Sequence, residues 1–228
     1  MRAGSIKISR VHFPVTTLGY GRRIGVWLQG CSIRCPGCIN PDTWDFATGW
    51  EATPEELTNL VGRWLSEADG ITITGGEPFD QPSGLQLLLQ SLRAHFDGDV
   101  LAFSGYSHDI LFAKHPAILQ HLDVLITGPF DPAAGQSLSL RGSDNQRVFL
   151  LTPKATSRYP ADIDSRPWEG QRHLDIFFDG DDAFMAGIPK PGFSAALHRG
   201  LQSVNLRSGT PPPQSDPKQP AFLQNQHE

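Results

Sequence analysis

The chain has 228 residues, 39% of them hydrophobic and 19% charged, enough for one large domain with a sizeable core and no disulfide staples. Its 19 Lys and Arg against 24 Asp and Glu leave a net charge of −5, which supplies no basic stripe for nucleic acid. The opening "MRAGSIKISRVHF" lacks the apolar stretch of a signal peptide, no apolar run reaches membrane-spanning length, and three cysteines are an odd number for a disulfide framework. The expected compartment is the cytoplasm, with no membrane partner.

Taken in chain order, short β-type runs alternate with helical stretches, the pattern of an α/β fold with largely parallel strands. "IGVWLQ" (Ile24 to Gln29) reads as a buried strand running straight into "GCSIRCPGCINPDTWD", the loop that holds every cysteine of the chain. "TPEE" (Thr53 to Glu56) reads as a helix start, with Thr53 as cap, Pro54 in the first turn and Glu56 completing a capping box. Leu57, Leu60, Val61, Trp64 and Leu65 follow at helical spacing. A second strand, Ile71 to Thr74, ends in "GGEPFDQP", and a helix with Leu85, Leu88, Leu89 and Leu92 on one side follows. Asp99 to Phe103 is the third strand; "SGYSHD" and a helix to about His121 come after it. Asp123 to Thr127 is the fourth strand, ending in "GPFDP", and Arg147 to Leu151 and His173 to Phe178 are later strands, with "DGDD" as a turn. Residues 1–195 are expected to form the core with its elaborations, and residues 208–228, rich in Pro and Gln, a disordered tail.

Cys31, Cys35 and Cys38 stand at C-x3-C-x2-C. Three readings are open from the residues alone. They are ordinary small apolar residues, although their flanks are polar, Gly- and Pro-rich loop; they are part of a zinc site, which wants four ligands and finds no histidine nearby; or they hold an iron–sulfur cluster. A cubane on three thiolates leaves one iron open, as catalytic rather than structural metal sites do. The "TGGEP" motif, Thr74 to Pro78, sits where a strand ends, the usual ligand position in parallel α/β folds. Gly75 and Gly76 permit close backbone approach and positive φ, and the carboxylate of Glu77 and the strand-end carbonyls suit an ammonium group.

The two motifs together resemble a radical S-adenosylmethionine (SAM) enzyme. "GCSIRCPGCINPDTW", "TGGEPF", "SGY", "TGPF" and "LRGSDNQRV" follow one another as in the activating proteins of anaerobic ribonucleotide reductase, over roughly Ile24 to Leu151, and "FFDGDDAFMAGIP" extends the resemblance toward Pro189. The resemblance implies a partial (β/α) barrel with a mostly parallel sheet, in which Cys31, Cys35 and Cys38 hold a [4Fe-4S] cluster and SAM chelates the fourth iron. It implies Gly37, Cys38 and Ile39 along the adenosyl portion and Gly75, Gly76 and Glu77 at the methionine amino group. Ser104 of "FSGY" is a candidate for ribose or sulfonium, and Arg141 of "LRGSDNQR" for the cofactor carboxylate or, with Asn145, a partner; Leu140 and Asp144 depart from the family's Trp and Ser there. The implied reaction is reductive cleavage of SAM to a 5′-deoxyadenosyl radical that activates a glycyl radical enzyme, with a flavodoxin or ferredoxin as electron donor. Modification of a peptide or small molecule, and a non-catalytic metal-binding module, are the alternatives.

Overall fold

Period-two alternation decides which face of a sheet each residue serves. In the computed structural model, which describes residues 4–179 and 182–190 with residues 192, 193, 196, 197, 199 and 200, it divides the core in two. Strands β1 (Ile6–Val15), β2 (Arg23–Leu28), β3 (Trp50–Ala52), β4 (Gly70–Gly75), β5 (Asp99–Ser104), β6 (Val124–Thr127) and β7 (Arg147–Leu150) form one sheet in the order β3-β1-β2-β4-β5-β6-β7. The centre, β2-β4-β5-β6, is parallel. Its flanks β1, β3 and β7 pair antiparallel.

Ile24, Val26 and Leu28 of β2, with Ile71, Ile73, Val100, Ala102 and Leu125, bury one face against helices α1 (Pro54–Gly62) and α2 (Pro82–Arg93). Their alternates face the other way. Leu101, Val124 and Ile126 meet Ala155 of α5 (Pro153–Arg158) together with Tyr159 and Ile163. Trp27 and Val15 meet Phe177 and Ala186 of a separate antiparallel hairpin, β8 (Leu174–Asp179) and β9 (Asp182–Gly187). Each leucine that such packing buries completely contributes about 1.5–3 kcal/mol against the entropy of ordering it.

The capping box forms as expected: Thr53 Oγ1 accepts from Glu56 N at 3.2 Å, and Glu56 accepts from Thr53 N at 2.7 Å. The helix expected to run to His121 is divided into α3 (His108–Lys114) and α4 (Pro116–Leu119). Pro116 disfavours helical backbone at His115, so the first helix must end there. β1, β3, α5 and β9 were not foreseen from the sequence. The centre of the "DGDD" turn and the tail from Ser208 lie outside the described residues.

At the N-terminal ends of the parallel strands, fully buried Arg23 pairs with Asp99 at 2.9 Å and donates to Thr72 Oγ1 at 2.6 Å. Tyr159 donates to Asp99 at 3.1 Å, and its phenol is pushed up to about 12, chiefly by burial. This cluster plugs that end of the sheet. The opposite, C-terminal end carries the cavities.

Candidate metal centre

β2 stops at Leu28, and Gly30, at φ 101°, turns the chain into the cysteine loop. The loop is closed at its neck, where Gly30 N–H donates to Thr43 O at 2.7 Å and Cys31 N–H to Trp44 O at 3.1 Å. Buried Gln29 stands beneath it, its amide nitrogen donating to Asp42 O, Asp45 O and Thr48 Oγ1. Inside, Cys38 N–H donates to Cys35 O at 3.2 Å across Gly37, which takes φ 75°. Asn40 N–H donates to Cys38 Sγ at 3.4 Å, a contact of the kind that tunes a cluster's potential.

The Gly-Gly turn after β4 is shaped by that loop. A Cβ on Gly75 would stand 2.5 Å from Leu28 N, and one on Gly76 only 2.1 Å from Gly30 O. Gly76 N–H donates to Leu28 O at 2.8 Å and Glu77 N–H to Gly30 O at 2.9 Å, stitching the turn to the neck of the cysteine loop. Only glycine allows backbones to approach so closely.

Glu77 is 1% exposed and looks inward. It accepts from Ser104 Oγ at 2.8 Å, Gly105 N at 2.7 Å and Phe79 N at 3.0 Å. Burial pushes its carboxyl up to about 7, with these three bonds opposing the shift. Its strongest visible work is therefore to tie the turn to the end of β5. Asp80 makes the matching tie outside: it accepts from Ser32 N at 2.7 Å, Ser32 Oγ at 3.0 Å and Tyr106 OH at 2.7 Å.

Cys31, Cys35 and Cys38 all line one cavity of about 150 Å³, together with Gly75, Gly76, Glu77 and Ser104. A second cavity of about 160 Å³ adjoins it, lined by Gly37, Ile39 and Trp27. Cys38, Thr74, Phe103, Phe130 and Gln146 belong to both. Burial raises the Cys31 and Cys38 thiols; a bound metal would convert them to thiolates. Among the described residues no three Cys, His, Asp or Glu side chains converge on a single-ion position. The three cysteines border one cavity, and thiolates are the ligands that an iron–sulfur cubane takes.

Arg141, which the sequence offers for the cofactor carboxylate or a partner, stands apart from both cavities: the guanidinium is 1% exposed and lines neither. It donates to Ser139 O, Gln146 O, Ile163 O and Asp164 O and pairs with the Asp164 carboxylate at 3.2 Å. Its donors are spent on holding its own loop. Asn145 likewise donates to Pro129 O at 2.8 Å.

Sequence reasoning passed over Phe130 and Gln146. Both lay in stretches whose order it noted, but an aromatic after Gly-Pro and one amide among several polar neighbours carry no signal of their own. Gln146 braces the site by accepting from Gly142 N at 2.8 Å and donating to Gly128 O at 2.9 Å. Ala186 and Ile188, which line the second cavity from β9 and just beyond it, lie in "FFDGDDAFMAGIP", a stretch whose sequence assigns them no role in a site.

Residues 17–149 match the family described as a 4Fe-4S single cluster domain. The chain is 31% identical over 146 residues to the anaerobic ribonucleoside-triphosphate reductase-activating protein of Haemophilus influenzae, which covers 60% of this chain and 94% of that one. The protein of that name from Escherichia coli is 31% identical over 148 residues, covering 61% and 96%. The pyruvate formate-lyase-activating enzyme of Clostridium pasteurianum is 35% identical over 112 residues, covering 47% of this chain and 45% of that enzyme. The β8–β9 hairpin lies beyond residue 149, where the family match ends.

Proposed function

We propose, from the premise that this chain belongs to the 4Fe-4S single cluster domain family and, within radical SAM enzymes, to the anaerobic ribonucleoside-triphosphate reductase-activating proteins, that Cys31, Cys35 and Cys38 each ligate one iron of its [4Fe-4S] cluster. The observation that carries this reading is that three thiols from one closed loop and the Gly75-Gly76 turn line a single cavity, in a chain with no fourth cysteine. Held by Cys31, Cys35 and Cys38, the cluster would supply the one-electron reduction by which SAM is cleaved.

The chain's own residues bind and orient. The bare backbone at Gly75 and Gly76 admits the methionine end of SAM, and the strand-end carbonyls receive its ammonium. Glu77 and Ser104 hold that turn in place from behind, and Gly37, Cys38 and Ile39 flank the adenosyl portion. Apolar Trp27, Phe103 and Phe130 line the second cavity and give the adenosyl portion a surface from which water is excluded. The target is a backbone glycine of a glycyl radical enzyme of the anaerobic ribonucleotide reductase type, and the electron donor a flavodoxin or ferredoxin. A net charge of −5 suits no nucleic-acid partner. Among the described residues no helix is long and apolar enough to cross a membrane, and a cytoplasmic site, where such donors work, fits the reading. The hairpin beyond the family match favours one second reading, a radical SAM reaction on a different peptide or small molecule.

The test is anaerobic reconstitution followed by dithionite reduction with SAM. The intact protein should release 5′-deoxyadenosine and, with its target, give a glycyl signal by electron paramagnetic resonance. Cys35→Ala should lose both, along with its cluster absorbance. Release of 5′-deoxyadenosine without any glycyl signal would favour the second reading, and full activity in Cys35→Ala would overturn the first.

A further inference from the structure

The hairpin beyond the family match is seated firmly. The carboxylate of Asp175 accepts four hydrogen bonds from β1's end and the turn after it: Thr16 N at 2.7 Å, Thr16 Oγ1 at 2.9 Å, Thr17 N at 3.2 Å and Thr17 Oγ1 at 2.9 Å. Phe177 stacks on His12 with ring centroids 4.0 Å apart and leans on Trp27 at 5.8 Å. The Arg10 guanidinium lies 4.8 Å from the Phe184 ring. In contrast, Ile176 and Phe178 on the opposite face are 61% and 75% exposed, so the hairpin has one committed side. Alternation along β9 puts Phe184 and Ala186 on that side, where Ala186 pairs with Asp175 across the hairpin. Ala186 and Ile188 are 2% and 6% exposed and line the second cavity together with Gly37, Cys38 and Ile39.

We infer that the β8–β9 hairpin is the wall that keeps the adenosyl group of SAM beside the cluster, with Ala186 and Ile188 facing the ligand and Asp175 as the latch that seats the wall. The inference rests on the SAM site proposed above and adds residues that no cluster or glycine motif marks. A small residue at Ala186 is what leaves the cavity open, and the four bonds to Asp175 keep the wall from swinging away. Ala186 and Ile188 are thus affinity determinants, and Asp175 is a positioning residue.

The test measures equilibrium binding of SAM and S-adenosylhomocysteine to anaerobically reconstituted protein, with L-methionine as a competitor that needs only the first cavity. Ala186→Phe should fill the second cavity and weaken both adenosyl ligands about tenfold or more, leaving iron content and competition by methionine as in the intact protein. Ile188→Ala and Asp175→Ala, which enlarge or loosen the wall, should weaken both ligands by about threefold to tenfold, and they carry the test if the phenylalanine variant does not fold. Variants with a full cluster that bind both ligands like the intact protein overturn the inference. If methionine competition falls in step with adenosyl binding, the hairpin is only a general prop and the inference also fails. If the intact, cluster-loaded protein binds neither adenosyl ligand, the SAM site itself is wrong, and that outcome is distinct from the other two.

Discussion

Gly76→Ala adds one methyl group, and the structure says where it must go. The new Cβ would stand 2.1 Å from Gly30 O, 2.7 Å from Gly30 C and 3.0 Å from Thr43 O, all backbone atoms at the neck of the cysteine loop. The first contact is more than an ångström short of ordinary van der Waals distance, and no flexible side chain is present to yield. Either the turn or the loop must move, and the bonds Gly76 N to Leu28 O and Glu77 N to Gly30 O are the first to stretch. Overpacking costs about 1–3 kcal/mol and each lost hydrogen bond about 1 kcal/mol, so we expect destabilisation of about 2–4 kcal/mol. Urea unfolding of the apo-protein reads this as a lowered midpoint with an unchanged slope. Gly62→Ala is the matched control: its Cβ meets nothing within 4 Å at the end of α1, and it should be neutral or stabilising by up to about 1 kcal/mol. A second reading comes from iron content after reconstitution, which should fall for Gly76→Ala because the displaced neck carries Cys31. A Gly76→Ala protein within about 0.5 kcal/mol of the intact chain and fully loaded with iron would refute the view that the turn shapes the loop.

Three further outcomes follow from the same geometry. Glu77 is raised from 4.5 to about 7, so its contribution to stability is full below pH 4.5 and is lost as pH rises through about 7; in Glu77→Gln that part of the slope in apo-protein stability between these values should vanish, as denaturant midpoints across pH would report. Asp123 behaves oppositely: burial opposes its charge, but Arg93, Thr152 and Val100 N outweigh it and hold its carboxyl below 3.8. Asp123→Asn should therefore cost about 1–3 kcal/mol at neutral pH, with the gap to the intact protein closing as pH falls below 3.8. Arg141→Met should lower stability by about 2–4 kcal/mol, because it leaves the buried carbonyls of Gln146 and Ile163 without their donor, yet change SAM affinity less than about threefold; a large loss of affinity without loss of stability would place Arg141 at the cofactor.

What the sequence reveals of this molecule depends on how local the signal is. The parallel centre is legible because β2, β4, β5 and β6 are short apolar runs bounded by turns, and α1 is legible to its cap because Thr53, Pro54 and Glu56 act within four residues of one another. β1 escapes because its antiparallel partners β2 and β3 impose its conformation, and β3, three residues long, exists only through its ladder to β1. The candidate cluster ligands stand out through their spacing taken together with the Gly75-Gly76 motif and the family resemblance the two share. The surroundings of Arg141 are illegible for a physical reason: a guanidinium in a polar loop looks the same in sequence whether it faces a cavity or five oxygens of its own fold. Of the second cavity, Gly37, Cys38 and Ile39 are legible beside the cysteines but the facing wall is not, since Ala186 and Ile188 come to Ile39 from nearly 150 residues further along the chain through a tertiary contact.

The cysteine loop has an unusual division of labour. From within, the neck bonds of Gly30 and Cys31 close it, Cys38 N donates to Cys35 O, and Asn40 N donates to Cys38 Sγ. The rest comes from outside, with Gln29 below, the Gly75-Gly76 turn alongside and Asp80 reaching Ser32 from the same turn. That turn is in turn tied to β5 by Glu77 through Ser104 and Gly105. The ends of three parallel strands are therefore coupled through two carboxylates and two glycines. A metal that binds here does not have to organise a loop from a disordered state, so less of its binding energy is spent on ordering the chain. The same coupling joins a glycine motif to a cysteine motif 37 residues away, from Cys38 to Gly75: the Gly75-Gly76 backbone passes Leu28 and Gly30 so closely that it has no room there for side chains.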